Sequence, residues 1–136
     1  MTPELIVLDT NIVLDVFVFN DAAAQTLRAG LTDGTLTWLA TAPMRVELAR
    51  VLAYPQIVPR LAFYQLSAAD VLASFDRHAR LVDVAPKASV TCSDTDDQCF
   101  IDLAVAHKAR LLSKDKAVIS MTKRLLVHGV IACSAI

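Results

Sequence analysis

The sequence predicts an α/β fold, namely a three-layer α/β/α sandwich around a central parallel sheet. Short aliphatic runs alternate along the chain with longer segments of helical periodicity, which is the order typical of parallel sheets. The aliphatic runs lack the apolar–polar alternation of half-exposed strands, so helices should cover both faces of the sheet. No repeat or linker divides the 136 residues, which indicates a single domain over 1–136.

The first half of the chain predicts two strands, each followed by helices. The run "LIVLD" is short and continuously aliphatic, as a buried strand requires, and Asp9 or Thr10 can cap the helix after it. Pro43 suits the first turn of a later helix, and Pro55 ends that helix. In order, we predict a strand at 5–9, a helix from residue 10, a helix from Asp21 to a turn near Gly34, a strand at 35–40, and helices at 42–55 and 56–66.

The second half of the chain predicts three more strands. Ser67, followed three residues later by Asp70, matches the start of a capped helix. In order, we predict a helix at 67–80, a strand at 81–84, a loop at 86–93, a helix at 94–109, a strand at 110–113, a helix at 114–129 and a strand at 130–133. In sheets of this kind, ligands bind at the carboxyl ends of the strands, near a switch in strand order.

Composition limits the cellular setting and the partners. The net charge of −1 lacks the basic excess usual in nucleic-acid binders, although local basic clusters exist. No apolar run reaches the ~18 residues of a membrane span, and the start "MTPELIVLD" lacks the basic region of a signal peptide, so we expect a cytoplasmic protein. A mean hydropathy of +0.50 is high for a small soluble chain and indicates apolar surface buried in a homodimer or against another protein.

Four acidic residues occupy positions that a parallel sheet would bring to one edge. Asp9 ends the first predicted strand, and Asp115 follows the predicted strand 110–113 by two residues. Glu47 and Asp97 lie on helical stripes whose other members are apolar, so both side chains should point inward. The pattern therefore places four carboxylates near the carboxyl edge of the sheet.

Each acid also has a simpler structural explanation. Asp9 can serve as a helix cap, and Asp97 lies near a helix N-terminus, where acids favour the helix dipole. Asp115 can be an ordinary loop residue. Glu47 is harder to explain in this way, because an inward carboxylate needs a partner, for which Arg50 is within reach along the helix.

The four acids considered together favour a metal site. Clustered carboxylates repel one another and raise each other's pKa, and a divalent cation relieves that repulsion. The three cysteines, Cys92, Cys99 and Cys133, show no metal-binding spacing, and the histidines are scattered. An oxygen-only donor set suits Mg²⁺ or Mn²⁺, and such sites commonly carry out phosphoryl chemistry.

Four segments of the chain occur in the order and spacing of a known family, namely "VLDTN", "VELARVL", "DTDDQCFIDLAVA" and "LLSKDKAVI". On these segments the chain resembles the PIN-domain ribonucleases, and in particular the branch described as toxin components of toxin–antitoxin systems. The resemblance implies an α/β/α sandwich with a parallel sheet, cleavage of RNA with Mg²⁺ or Mn²⁺, and an antitoxin protein as partner.

The resemblance also assigns roles to residues. Its four acids, which are both metal ligands and catalytic residues, correspond to Asp9, Glu47, Asp97 and Asp115. The supporting polar positions correspond to Asn11, Ser113 and Asp96. Asp97 is preferred to Asp96 as the third acid because Asp96 lies ~100° around the helix from the inward stripe.

Three positions depart from the pattern of the family branch. Lys114 stands where Gly is usual, Ala117 stands where a second acid is frequent, and Thr95 replaces a common Pro. These departures concern the surroundings of Ser113 and Asp96 and the fine geometry of the metal site, and they leave the four main acids in place.

Basic residues and alternative functions complete the sequence-based expectations. The side chains that could contact an RNA phosphate beside the acids are Arg45, Arg50, Lys114 and Lys116. A catalytically inactive PIN-like module that binds RNA or protein is the main alternative to a ribonuclease. A receiver-type phosphotransfer protein is a third possibility, but it needs paired acids after the first strand, where "LDTN" supplies one.

Overall fold

The computed structural model describes residues 3–136, so Met1 and Thr2 of the predicted domain lie outside the described residues. The strands are β1 Glu4–Leu8, β2 Leu36–Ala40, β3 Ala79–Leu81, β4 Arg110–Leu112 and β5 Ala132–Cys133. The helices are α1 Thr10–Phe17, α2 Gln25–Asp33, α3 Ala42–Leu52, α4 Val58–Phe63, α5 Ala68–His78, α6 Gln98–His107, α7 Lys116–Ile119 and α8 Thr122–Val127. Single 3₁₀ turns, Ala22–Ala24 and Thr95–Asp97, precede α2 and α6.

The five strands form one parallel sheet in the order β3-β2-β1-β4-β5. The chain first builds β1, β2 and β3 toward one edge and then crosses over to place β4 and β5 on the other side of β1. Strand order therefore reverses between β1 and β4, whose last residues Leu8 and Leu112 are paired. A crevice forms outside the carboxyl ends of the strands at such a switch point.

Helices flank the sheet, and the central strands are buried on both faces. Ile6, Val7 and Leu111 are completely inaccessible to solvent, although consecutive residues of a strand point to opposite faces. Trp38 of β2 packs edge-on against Phe75 of α5, with ring centroids 4.9 Å apart. The predicted α/β fold with a helix-covered parallel sheet is therefore confirmed.

Capping residues and a turn glycine in the sequence correctly predict where two helices begin or end. Ser67 and Asp70 form the predicted capping box at the start of α5, with reciprocal backbone-to-side-chain hydrogen bonds of 3.1 and 2.8 Å. Gly34 ends α2 with a φ of +83°, a left-handed conformation that favours glycine. The remaining differences at the ends of the matching elements are shifts of a few residues.

Two predicted elements need correction. The strand predicted at 81–84 is Ala79–Leu81, because α5 stops at His78 and Ala79 already pairs with Trp38 of β2. As an edge strand it needs no continuous aliphatic run, so the sequence pattern misplaced it. Its neighbour Val82 extends the pairing through a hydrogen bond from its N–H to the carbonyl of Ala40, 2.9 Å long.

The helix predicted at 114–129 is two short helices, α7 and α8. The hydroxyl groups of Ser120 and Thr122 donate to the carbonyls of Ala117 and Ile119, at 2.9 and 2.6 Å, and compete with continuous helical bonding. The apolar spacing continues through the break, which made one helix the natural prediction. Across residues 3–136, no helix has both the length and the apolar character that crossing a membrane requires.

Candidate metal centre

Asp9 lies directly after β1 at the switch point of the sheet. Its N–H donates to the carbonyl of Leu112 at 3.1 Å, which extends the pairing of β1 with β4 by one residue. One carboxylate oxygen accepts the N–H of Ile12 at 2.9 Å and caps α1, and the other accepts the hydroxyl of Ser113. With 3% of its surface exposed, Asp9 is held in one orientation, and burial raises the pKa of its carboxyl group. Asp9 is therefore a helix cap, as its simpler explanation proposed, and it also lies at the carboxyl edge of the sheet.

Ser113 connects the ends of the two central strands. Its fully buried hydroxyl donates to Asp9 and accepts the N–H of Asp115 at 3.1 Å. Asp115 in turn caps α7, because its Oδ1 accepts the N–H of Ala117 at 2.8 Å. One short segment after β4 thus fixes the positions of two carboxylates.

Asp97 ends the 3₁₀ turn before α6 and carries the most perturbed carboxyl group. It is 9% exposed, and its Oδ2 is buried without a hydrogen-bond partner. Burial, followed by the negative charge of Asp115, raises the pKa of Asp97 from 3.8 to about 7. A side-chain hydrogen bond with Asp115, which only the protonated form of the pair can make, raises the pKa of Asp97 further, and Asp94 and Asp9 add smaller contributions in the same direction.

Asp94, Asp97 and Asp115 form the tightest acidic group, with one carboxylate oxygen from each residue lying within 4.8 Å of the others. We call these three residues the Asp94–Asp97–Asp115 cluster. Asp94 is absent from the sequence-based set of acids. The available signal was its spacing from Asp97, because a 3₁₀ turn has three residues per turn and brings such positions to one side.

All four predicted acids line one cleft of about 430 Å³. Asp97 and Asp115 belong to the tight cluster, whereas Asp9 and Glu47 lie outside it in the same cleft. Glu47 comes from α3, has a side chain 37% exposed, and pairs with Arg50 at 2.9 Å. Arg50 is therefore the partner that the carboxylate of Glu47 needs.

The three supporting polar residues differ in their exposure and in their position relative to the cleft. Asn11 in the first turn of α1 is exposed and lines the cleft. Asp96 also lines the cleft, but it is exposed, and its backbone N–H supports Asp94 by donating to Oδ1 at 2.9 Å. Ser113 is buried behind Asp9 and orients it.

The four basic residues expected near an RNA phosphate lie in different surroundings. Arg45 holds Asp76 of α5 through two hydrogen bonds of 2.7 and 2.8 Å and does not line the cleft. Lys114 pairs with Asp15, whose side-chain hydrogen bond raises the pKa of Lys114. Lys116 is exposed. None of the four lines the cleft, and Arg50 is connected to it through the ion pair with Glu47.

The residues of the Asp94–Asp97–Asp115 cluster fit a divalent cation. The donors are exclusively carboxylate oxygens, which are the ligands that hard cations prefer. The unpartnered Oδ2 of Asp97 and the raised pKa of this residue show that the protein itself does not compensate the negative charge. A cation bound between the three carboxylates would supply that compensation.

The fold and the site together define a class, namely doubly wound α/β proteins with an acidic cleft at the carboxyl edge of the sheet. Within this class, the family model described as "PIN domain" matches residues 5–117. The chain therefore belongs to the PIN domain family, which confirms the resemblance seen in its motifs. A comparison with curated proteins finds no significant match.

A solved structure shows the same fold. The crystal structure of VapBC2 from Rickettsia felis, bound to a DNA fragment from their promoter, contains a chain that superimposes with a TM-score of 0.61. The alignment covers 94% of this chain and 96% of the other, at 15% sequence identity. At this identity the similarity concerns the fold.

Proposed function

We propose that the protein is a metal-dependent endoribonuclease that hydrolyses phosphodiester bonds of RNA. The observation that carries this proposal is the Asp94–Asp97–Asp115 cluster, located at the switch point of a PIN domain. Three neighbouring carboxylates, one of which has a buried oxygen without a hydrogen-bond partner, lower the stability of the folded protein. A sheet edge with only a structural role would not need them. They suit a site that binds a cation and a phosphate together.

We assign the Asp94–Asp97–Asp115 cluster to Mg²⁺ or Mn²⁺, with Asp9 and Glu47 completing the acidic wall of the cleft. When bound, the ion would lower the pKa of a coordinated water and offset the charge that develops on the phosphate. Asp9 keeps one fixed orientation, because Ile12 and Ser113 donate to its two oxygens. The exposed amide of Asn11 is available to a substrate or to water at the mouth of the cleft.

The decisive experiment measures cleavage of an end-labelled single-stranded RNA by the purified protein with Mn²⁺ and with EDTA. We expect cleavage with Mn²⁺ and none with EDTA. Asp97→Asn should reduce the rate by at least roughly a hundredfold, because it removes an anionic metal ligand. Asp83→Asn, which changes an exposed aspartate outside the cleft, is the matched control and should cleave at the wild-type rate.

The alternative is a catalytically inactive PIN-like module that binds RNA or protein. It predicts intact RNA under all conditions and no effect of Asp97→Asn on the RNA. It also leaves the raised pKa of Asp97 without a functional reason. A rate that is equal in wild type and Asp97→Asn would point to a contaminating nuclease and would leave the inactive module as the better explanation.

We also propose a cytoplasmic role as the toxin component of a toxin–antitoxin pair, with an antitoxin protein or a second copy as partner. Support comes from the resemblance of the motifs and from the fold shared with VapBC2. Large apolar side chains are exposed on two helical segments, including Phe63 at 80% and Val127 at 84%. Light scattering should give twice the 14.7 kDa chain mass if a homodimer covers one of these surfaces, and the chain mass if it does not.

A further inference from the structure

A second groove adjoins the acidic cleft. Both are lined by Asn11, so the two grooves meet at this residue. We call it the Arg60 groove, and its lining consists of Asn11, Asp15, Phe19, Asp21, Arg60 and Lys114. Its volume of about 430 Å³ matches that of the acidic cleft.

Arg60 is the cation in this groove whose charge the protein does not neutralise. The ammonium of Lys114 is held by Asp15, and Asp21 caps the 3₁₀ turn by accepting the N–H of Ala23 at 2.9 Å. Arg60 forms no ion pair with any residue of the described chain, 3–136. An anion in the groove would therefore meet an available positive charge at Arg60.

The guanidinium of Arg60 is held over an aromatic ring. Its central carbon lies 3.7 Å from the centroid of the Phe19 ring, which is a cation–π contact. The ring of Tyr64 lies 6.3 Å from that of Phe19 and is not part of the lining of the groove. Because the ring restrains the guanidinium, Arg60 loses little conformational freedom when a ligand binds its outer face or its N–H groups.

We propose that the Arg60 groove is a subsite for single-stranded RNA next to the acidic cleft. Arg60 donates to a phosphate that flanks the scissile one, and an unstacked base packs on the face of its guanidinium that Phe19 leaves free. The bases of a duplex are stacked on each other and cannot use such a surface, so the subsite selects single strands. This inference rests on the proposed ribonuclease function, which makes RNA the substrate. RNA is a polyanion that the carboxylates of the cleft repel, so a cation next to the cleft would help to hold it.

The test compares variants on two RNAs of about 20 nucleotides, one single-stranded and the other annealed to its complement. Arg60→Gln removes the charge and replaces the guanidinium with a smaller amide, Arg60→Lys keeps the charge alone, and Phe19→Leu removes the supporting ring. Arg77→Gln is the matched control, because Arg77 is exposed on α5, forms no ion pair within residues 3–136 and lines neither groove. Circular dichroism melts verify that each variant is folded.

With Mn²⁺ and the single strand, Arg60→Gln should raise KM roughly tenfold and leave kcat within about twofold, since it removes binding rather than metal ligation. The slope of log affinity against log salt should fall by about 0.7, the value for one lost contact to a single strand. Arg60→Lys should keep that slope and still lose affinity. On the duplex, Arg60→Gln should behave like Arg77→Gln.

The outcome separates this inference from the ribonuclease proposal. If the wild-type protein leaves RNA intact in Mn²⁺, the ribonuclease proposal fails, and the affinities of the same variants are then measured by fluorescence anisotropy on the uncleaved RNA. An Arg60-dependent preference for single strands would still support the subsite. Equal KM or affinity for Arg60→Gln and Arg77→Gln overturns it, as does an absence of any RNA binding by the wild-type protein.

Discussion

Asp97→Asn should make the metal-free protein more stable at pH 8 while weakening its response to Mn²⁺. The folded state raises the pKa of Asp97 from 3.8 to about 7, a difference of about 3 units. At 1.36 kcal/mol per unit, about 4 kcal/mol is an upper bound on the cost of ionising this carboxyl group in the folded protein, because solvent in the open cleft screens the charge and Asp115 shares the titration. The substitution removes that cost, but it buries an amide that needs hydrogen bonds, which offsets about 1–2 kcal/mol. We therefore expect a net gain of up to about 2 kcal/mol in the free energy of unfolding.

The sign follows from proton linkage. Because the pKa is higher in the folded state than in the unfolded state, the folded protein binds more protons between pH 4 and 7. The contribution of Asp97 to stability therefore falls as pH rises through that window and reaches its minimum above pH 7. Well below pH 3.8 the carboxyl group is protonated in both states, so only the cost of the buried amide remains and Asp97→Asn should be no more stable than wild type. Its advantage should be largest at about pH 8.

The assay is a set of thermal melts at several pH values, with EDTA and with Mn²⁺. A gain of about 2 kcal/mol corresponds to roughly 6–10 °C in Tm for a chain of this size. Wild type should gain about 2.7 kcal/mol when Mn²⁺ reaches a hundred times its Kd, and Asp97→Asn should gain much less. Asp83→Asn controls for the loss of one exposed carboxylate. A lower Tm for Asp97→Asn in EDTA at pH 8, combined with a wild-type Tm that ignores Mn²⁺, would refute the electrostatic reasoning.

Three further predictions concern other parts of the molecule. Ser113→Ala should lower the free energy of unfolding by about 1–3 kcal/mol in denaturant titrations, because it removes the buried hydroxyl between Asp9 and Asp115; an unchanged midpoint would contradict this role. Gly34→Ala should cost about 1 kcal/mol in the same measurement, purely through its φ of +83°, since no heavy atom lies within 4 Å of the added Cβ. Arg45→Gln should leave RNA cleavage at the wild-type rate, since its guanidinium is bound to Asp76 outside the cleft, and a large rise in KM would place Arg45 in the substrate path.

The elements that depend on local signals were predictable from the sequence. The capping box of α5 and the left-handed glycine after α2 are properties of a few adjacent residues, and both occur where the pattern places them. The continuous aliphatic run of β1 is the pattern expected of a strand buried on both faces, and the structure buries its last three residues. The parallel sheet followed because such strands alternate with helices.

The misplaced elements depend on hydrogen bonding and strand pairing, which the spacing of apolar residues does not reveal. The break between α7 and α8 arises because hydroxyl groups bond to backbone carbonyls, while the apolar spacing of Val118, Met121 and Leu125 continues as if the helix were intact. The shift of β3 arises at an exposed sheet edge, where burial gives little information. Both errors lie outside the cleft.

The candidate site was predictable as a location and less so in its composition. Strand ends and inward helical stripes indicated four acids that do line one cleft. An inward helical stripe requires α-helical geometry before α6, whereas the 3₁₀ turn at Thr95–Asp97 brings Asp94 beside Asp97. The hydroxyl of Ser113 reaches Asp9 across 104 positions of sequence, a contact that only the pairing of β1 with β4 creates.

The hydrogen bonds around the cleft indicate which acids depend most on a cation. Asp9 and Asp115 each accept a backbone N–H as helix caps, and Asp9 also accepts a hydroxyl. These donors compensate part of their negative charge without a metal. Asp97 caps no helix with its side chain, and its Oδ2 has no donor at all. The folded protein therefore leaves the charge of Asp97 to an external partner, which is why metal binding and metal-free stability should respond to this residue in opposite directions.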